Sequence, residues 1–217
     1  MRMKLVGWMV ALTLGFGSAE TIRFDMNAPG SMPAGWTVVA ATDPPPKWEV
    51  LNDPTAPSKP NVLPLVSKGG SGHFPLAILD KADYKDGEVS VKFKTMAGKN
   101  DQAAGLVWRY RDASNYYLVR ANALENNIVM YKVEEGRWLS LTPKGKPARG
   151  NGVAHRIPSR TWSILKVSFR KSRYEVYFDH RKVFEAEDAT FMGPGKVGLW
   201  TKANCVTYFD DFQFSGK

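Results

Sequence analysis

Residues 105–133 read GLVWRYRDASNYYLVRANALENNIVMYKV. β-Branched and aromatic residues fill three runs, while residues 112–115 and 125–127 supply polar turn chemistry, so the stretch reads as a three-strand antiparallel meander. Side chains alternate between faces along a strand. One face then carries Leu106, Trp108, Tyr110, Tyr117, Val119 and Ala121, continued by Ile128 and Met130, an apolar set suited to burial against a second sheet. The other mixes Arg109, Arg111, Arg120 and Asn122 with Val107, Tyr116, Leu118, Val129, Tyr131 and Val133. Arginines among aromatics in mid-sheet admit two readings: a solvated outer face with stems over apolar neighbours, or a face that binds a ligand.

Outward from the meander the same period recurs. Residues 88–96 place Val89, Val91 and Phe93 on one side and Ser90, Lys92 and Lys94 on the other, and residues 162–170 do the same with Leu165, Val167 and Phe169. Residues 174–178 and 182–185 flank Asp179-His180-Arg181, a hairpin connection where Gly or Asn is usual. In the closing strand Phe209 and Phe212 lie three apart, which breaks the period and predicts a bulge near Asp210 and Asp211. Short strands bounded by Pro and Gly precede the meander, among them residues 21–26, 36–40, 47–51, 63–66 and 74–79. Fourteen or so short strands with no amphipathic helix predict an all-β fold, a two-sheet antiparallel jelly-roll sandwich, with no domain boundary between residues 20 and 217.

The chain begins MRMK, runs through the apolar residues 5–16 and reaches Gly17-Ser18-Ala19, the layout of a secretory signal peptide over residues 1–19. A secreted or periplasmic bacterial protein is expected, with no transmembrane segment after cleavage. Cys205 is the single cysteine, so stability must come from burial rather than an intrachain disulfide. The formal net charge of +9 is dispersed, with its densest basic patch in residues 144–160. That loop suits anionic polysaccharide or lipid headgroups, or simply solubility, and secretion without a nucleic-acid motif argues against a nucleic-acid partner.

Three segments carry a likeness to a known superfamily: the meander extended to Trp138, then SRTWSILKVSFRKSRYEVYFDHRKVFEAED, then GPGKVGLWTKANCVTYFDDFQF. Together they resemble the concanavalin A-like lectin/glucanase superfamily, and more narrowly its secreted bacterial 3-keto-disaccharide hydrolase-like or family-sixteen-glycoside-hydrolase-like (laminin G-like) domains. The resemblance implies one concave and one convex sheet, a carbohydrate partner, and a concave sheet containing the meander. On that hollow, alternation puts Arg109, Arg120, Asn122 and Tyr131, with Trp138 as a sugar-stacking platform on the rim. Carbohydrate recognition is the leading expectation; a glycoside hydrolase and a non-catalytic envelope protein-interaction module are the alternatives.

The chain departs from both catalytic patterns of these relatives. The family-sixteen hydrolases carry E-x-D-x-x-E on one strand, whose same-face carboxylates act as nucleophile and acid. Here residues 185–190 read EAEDAT, leaving Glu185 and Glu187 as catalytic candidates with threonine in the last acidic place. The Glu and Gln found in a middle meander strand of many 3-keto-disaccharide hydrolase-like proteins are replaced by Leu118 and Arg120. His73, His155 and His180 are isolated from one another and from cysteine, which argues against a transition-metal site. Asp210 and Asp211 at the bulge, with Asp25 of the first strand, are candidate ligands for a structural calcium ion. Cys205, in an apolar strand, reads as a buried inert thiol.

Overall fold

The structure, a computed structural model, describes residues 17–40, 46–66, 74–145, 152–202 and 204–217. Among them are sixteen strands and no helix: β1 (Glu20–Ile22), β2 (Trp36–Val39), β3 (Leu51–Asn52), β4 (Asn61–Pro64), β5 (Leu76–Tyr84), β6 (Gly87–Ala97), β7 (Ala103–Asp112) and β8 (Asn115–Asn122), then β9 (Asn127–Glu134), β10 (Arg137–Ser140), β11 (Val153–Ala154), β12 (Ser163–Arg170), β13 (Arg173–Phe178), β14 (Arg181–Glu187), β15 (Gly195–Thr201) and β16 (Val206–Gly216). All ladders are antiparallel. The first sheet runs β14-β13-β12-β6-β16-β4-β3 with β1 on β16; the second runs β10-β9-β8-β7-β15-β5-β2 with β11 on β9. The expected two-sheet sandwich is therefore the observed one. Most of the expected leader, residues 1–16, the loop containing His73 and residues 146–151 of the basic loop lie outside the described residues.

The inner faces close as alternation predicts. Val89, Val91 and Phe93 of β6 meet Leu165, Val167 and Phe169 of β12 on one side of the core, and Leu106, Trp108, Tyr117, Val119, Ile128 and Met130 supply the other. Each of these side chains is fully buried, and burial of this kind, at about 25 cal/mol per Å² of apolar surface, is what holds a disulfide-free domain together. The bulge expected near the C-terminus is present: the β16–β6 register slips between Asp210 and Gln213, Asp211 takes φ 45°, and Phe209 and Phe212 both face the core. The hairpin at Asp179 and His180 closes with φ 44° and 66°, both in the left-handed region that such a two-residue connection demands.

A second bulge corrects the reading of the meander. Arg109 takes φ 48°, and between the pairs Trp108↔Tyr117 and Asp112↔Asn115 three residues of β7 oppose Tyr116 alone. The backbone can bulge here because Gly195 lies alongside: a Cβ on Gly195 would come within 2.5 Å of the Arg109 backbone. The slip reverses the faces of the residues beyond Trp108. Tyr110, expected inside, packs against Tyr116 on the outer face of the second sheet, with ring centroids 5.9 Å apart.

Arg109, expected on an open hollow, is instead 0% exposed. Its guanidinium donates to Lys85 O at 3.0 Å, Phe191 O at 2.6 Å, Lys171 O at 2.7 Å and the Tyr174 hydroxyl at 3.1 Å, and pairs with Asp86 at 3.4 Å. It is a brace between the sheets and takes no part in a surface site. Arg111 lies exposed over the ring of Phe191, 5.0 Å from its centroid.

The outer face of the second sheet is also not the open surface that the parity argument implied. Leu76, Ile78, Val107, Leu118, Val133 and Trp200 form a second apolar cluster there, buried to 2% exposure or less, with Phe74, Tyr131 and Trp138 packed against it. Thr37 and Lys196 put polar groups on this face beside Ile78 and Tyr110, and a further polar cluster lies where β8 turns into β9.

Candidate functional site

Arg120 and Asn122 of β8 point outward on the second sheet, beside Val129 and Asn127 of β9. Gly105 of β7 is the cross-strand neighbour of Arg120, and a Cβ there would crowd Leu118 and Trp200 at 3.0 Å, so the glycine leaves room for the ring and the long side chain together. Asn122 opens the turn: its Oδ1 accepts from the backbone N–H of Leu124 at 3.0 Å, an Asx turn that folds Glu125 back over the strand.

Glu125 is then the meeting point. Arg120 donates to it at 2.8 Å, Asn122 Nδ2 at 3.0 Å and Asn127 Nδ2 at 3.0 Å. Arg120 also reaches Asn127 Oδ1 at 3.3 Å, and its guanidinium lies 5.9 Å from the centroid of Tyr131. Asn122 spends its other amide hydrogen on Asp101, at 2.9 Å, and Asp101 is ion-paired to Lys202 at 2.6 Å. One amide thus links two carboxylates, each with its own cation. Burial pushes the Glu125 carboxyl up, but the hydrogen bonds from Arg120 and Asn127 and the charges of Arg120 and Lys202 outweigh it, leaving it below the usual carboxylate range.

Tyr131 passes the cluster on to the aromatics. Its ring stands 5.5 Å from Trp138, which lies 4.6 Å from Phe74 and 6.2 Å from Trp200. Trp138 arrives from β10 by its pairing with Val133. Three of the five residues expected at a carbohydrate site, Arg120, Tyr131 and Trp138, are therefore contiguous. Asn122 is with them as a fully buried brace, and Arg109 is elsewhere. The arrangement offers a half-exposed carboxylate, an ammonium and the edge of a guanidinium next to partly open rings, a set that can take sugar hydroxyls and a sugar C–H face side by side.

The other candidates are placed differently. Glu185 and Glu187 do share a face of β14, but on the edge of the first sheet, where Arg173 approaches both at 3.6 and 3.7 Å, Lys182 holds Glu185 at 2.5 Å and Lys144 holds Glu187 at 3.2 Å. The Lys182 hydrogen bond and charge keep Glu185 below the usual carboxylate range, the opposite of what a general acid needs. Asp25, Asp210 and Asp211 do not converge. Asp210 accepts from Ser58 N and Oγ at 2.8 Å, Asp211 pairs with Lys92 at 2.7 Å and Arg23 at 3.2 Å, and Asp25 accepts from Asn61 N at 3.3 Å. No group of three or more His, Cys, Asp or Glu suited to a metal ion occurs among the described residues. Cys205 is buried with its thiol donating to Asp101 O at 3.0 Å, and burial pushes its pKa to about 11.

Sequence reasoning missed Glu125, Asp101, Asn127, Lys202, Phe74 and Trp200. Glu125 and Asn127 were visible as turn residues, and the signal for the turn was also the signal for the site. Asp101, Lys202 and Phe74 come from separate loops and had none.

This is an all-β, two-sheet antiparallel sandwich whose fold is similar to a galectin-like one. It is similar to the carbohydrate-binding module CBM66 from Bacillus subtilis, with TM-score 0.62 and 20% identity over 84% of this chain and 96% of that one. It is also similar to a protein of unknown function with a galectin-like fold from B. subtilis, with TM-score 0.56 and 11% identity over 83% and 88% of the two chains. A third likeness is to xylan β-1,4-xylosidase from Bacillus halodurans, with TM-score 0.54 and 14% identity over 90% of this chain but only 39% of the enzyme. No protein-family profile and no curated protein sequence matches the chain.

Proposed function

We propose that the protein is a carbohydrate-recognition domain that binds a saccharide at the cluster of Arg120, Glu125, Tyr131 and Trp138, with Asn122, Asn127 and Asp101 as its supports. The observation that carries the reading is the contact chain Arg120–Tyr131–Trp138, which joins a charge-assisted hydrogen-bonding centre to an aromatic platform on one face. The likeness to a carbohydrate-binding module supports it, as does the match to only a fraction of a larger xylosidase, the relation expected of an accessory module. Glycoside hydrolysis is less well supported, because a hydrolase needs a carboxyl held protonated, whereas Glu125 and Glu185 are both held ionised by cations. Export to the periplasm or exterior belongs to the same proposal and rests on residues 1–19.

Affinity electrophoresis through arabinoxylan, mixed-linkage β-glucan, inulin and galactan tests the reading. Retardation in at least one gel that Trp138→Ala reduces is expected. No retardation in any, together with specific recovery of an envelope protein partner, would favour the protein-interaction alternative.

A further inference from the structure

The outer face of the first sheet holds a trough that the site above does not use. Cross-strand pairing aligns Tyr177, Lys166, Ser90, Gln213 and Thr21 in one row across β13, β12, β6, β16 and β1. Four inter-strand gaps of about 4.8 Å make that row about 19 Å long. Two hollows of about 470 and 590 Å³ lie along the face, the first floored by Ser90, Lys166, Tyr177 and Gln213, the second by Glu88, Ser168 and Arg173. A shallower hollow of about 70 Å³, lined by Glu88, Ser90, Lys166 and Gln213, joins them.

The chemistry of the floor narrows the occupant. Along the row itself the charges are matched in pairs, Lys92 with Asp211 at 2.7 Å, Lys166 with Glu88 at 2.8 Å and Lys182 with Glu175 at 3.3 Å, while Arg170, Lys171 and Arg173 stand at the far side of the second hollow. A polyanion would have to break these pairs, and an apolar partner would bury them. Between the pairs stand Ser90, Ser168 and Gln213, whose side chains make no hydrogen bond within the described residues and keep donors and acceptors free along the row. Tyr177 gives the row one aromatic ring, its hydroxyl already donating to Glu175 at 2.8 Å. An elongated row whose own charges are paired, with free hydroxyl and amide groups between them, matches an elongated, uncharged chain of hydroxyls. We propose that this trough is a second saccharide site, which takes an extended neutral polysaccharide strand laid across the β-strands.

The two sites would lie on opposite faces of the sandwich, so one domain would bridge two chains or two stretches of one, and its apparent affinity for a polymer would exceed that for a short oligomer. ¹⁵N NMR titration of the full-length chain with xylohexaose, cellohexaose and mannohexaose tests the proposal, with pentosan polysulfate as the anionic comparison. The amides of Ser90, Lys166, Tyr177 and Gln213 are expected to shift with at least one neutral hexaose, and Ser90→Ala with Gln213→Ala to weaken that binding at least fivefold. The Trp138→Ala variant should leave those shifts in place, which separates this site from the one on the second sheet. Trough amides that stay still with all three hexaoses, or that move only with pentosan polysulfate, would overturn the proposal, whatever happens at Trp138.

Discussion

Arg120 and Glu125 are joined at 2.8 Å across a single β-turn, the guanidinium one-tenth exposed and the carboxylate 40% exposed. The inner partner is fixed by the sheet, and the outer one remains reachable by solute. Glu125→Gln keeps the shape but removes the charge that Arg120 faces. The expected result is a stability loss of about 1 kcal/mol, since the pair is partly screened by solvent, and saccharide binding at least tenfold weaker. Urea unfolding and calorimetric titration on the same variant check both numbers.

Arg109 is expected to behave in the opposite way. Replacing it by Met removes the cation that Asp86 faces and a donor from the Tyr174 hydroxyl and three backbone carbonyls, with a cost of about 3–5 kcal/mol. If the variant folds, its saccharide affinity should match that of the parent. Arg109→Lys, which keeps the charge and loses the fork, should fall between the two in denaturant midpoint.

Gly195→Ala tests the bulge itself. A methyl group 2.5 Å from the Arg109 backbone forces β15 and β7 apart or the bulge out, for an expected loss of about 1–3 kcal/mol from a change at an otherwise mild position. Gly30→Ala is not the same test, because that glycine has open space and a φ of 83°.

Acid should unfold the domain through a few identifiable carboxylates. Burial raises Asp188, but hydrogen bonds from Tyr117 at 2.6 Å and Thr190, with the charge of Lys132, bring it below the ordinary range. Burial likewise raises Asp53, and the Lys94 and Thr55 hydrogen bonds overcome it. A carboxylate depressed in the folded state contributes stability that is complete above its unfolded value, near 4, and is lost as the pH falls through the folded value. The unfolding free energy should therefore be nearly level from pH 7 to 5 and drop below about 4. Asp188→Asn should flatten that drop while lowering stability at pH 7.

The sandwich was legible because most of its strands keep strict alternation. Val89 to Phe93 and Leu165 to Phe169 declare their inner face unaided, and Phe209 and Phe212 announce a bulge by violating the period. The site was legible in part. Arg120, Tyr131 and Trp138 follow from parity in β8, β9 and the start of β10, where no register slips. Arg109 and Tyr110 were misplaced because nothing between Trp108 and Asp112 marks a bulge: the residue with positive φ is an arginine, and the glycine that makes room for it lies 86 residues away at position 195. Pairs such as Asp101 with Lys202, brought together by loops, leave no local pattern to read.

Calorimetric titration of the parent and the Trp138→Ala, Glu125→Gln double variant with a saccharide retained in the electrophoresis panel is the most direct test of a recognition site on the second sheet. The account predicts measurable heat for the parent and at least a hundredfold weaker binding at that site for the variant, with the circular dichroism spectrum and the unfolding transition preserved. Undiminished affinity in a folded variant would contradict it.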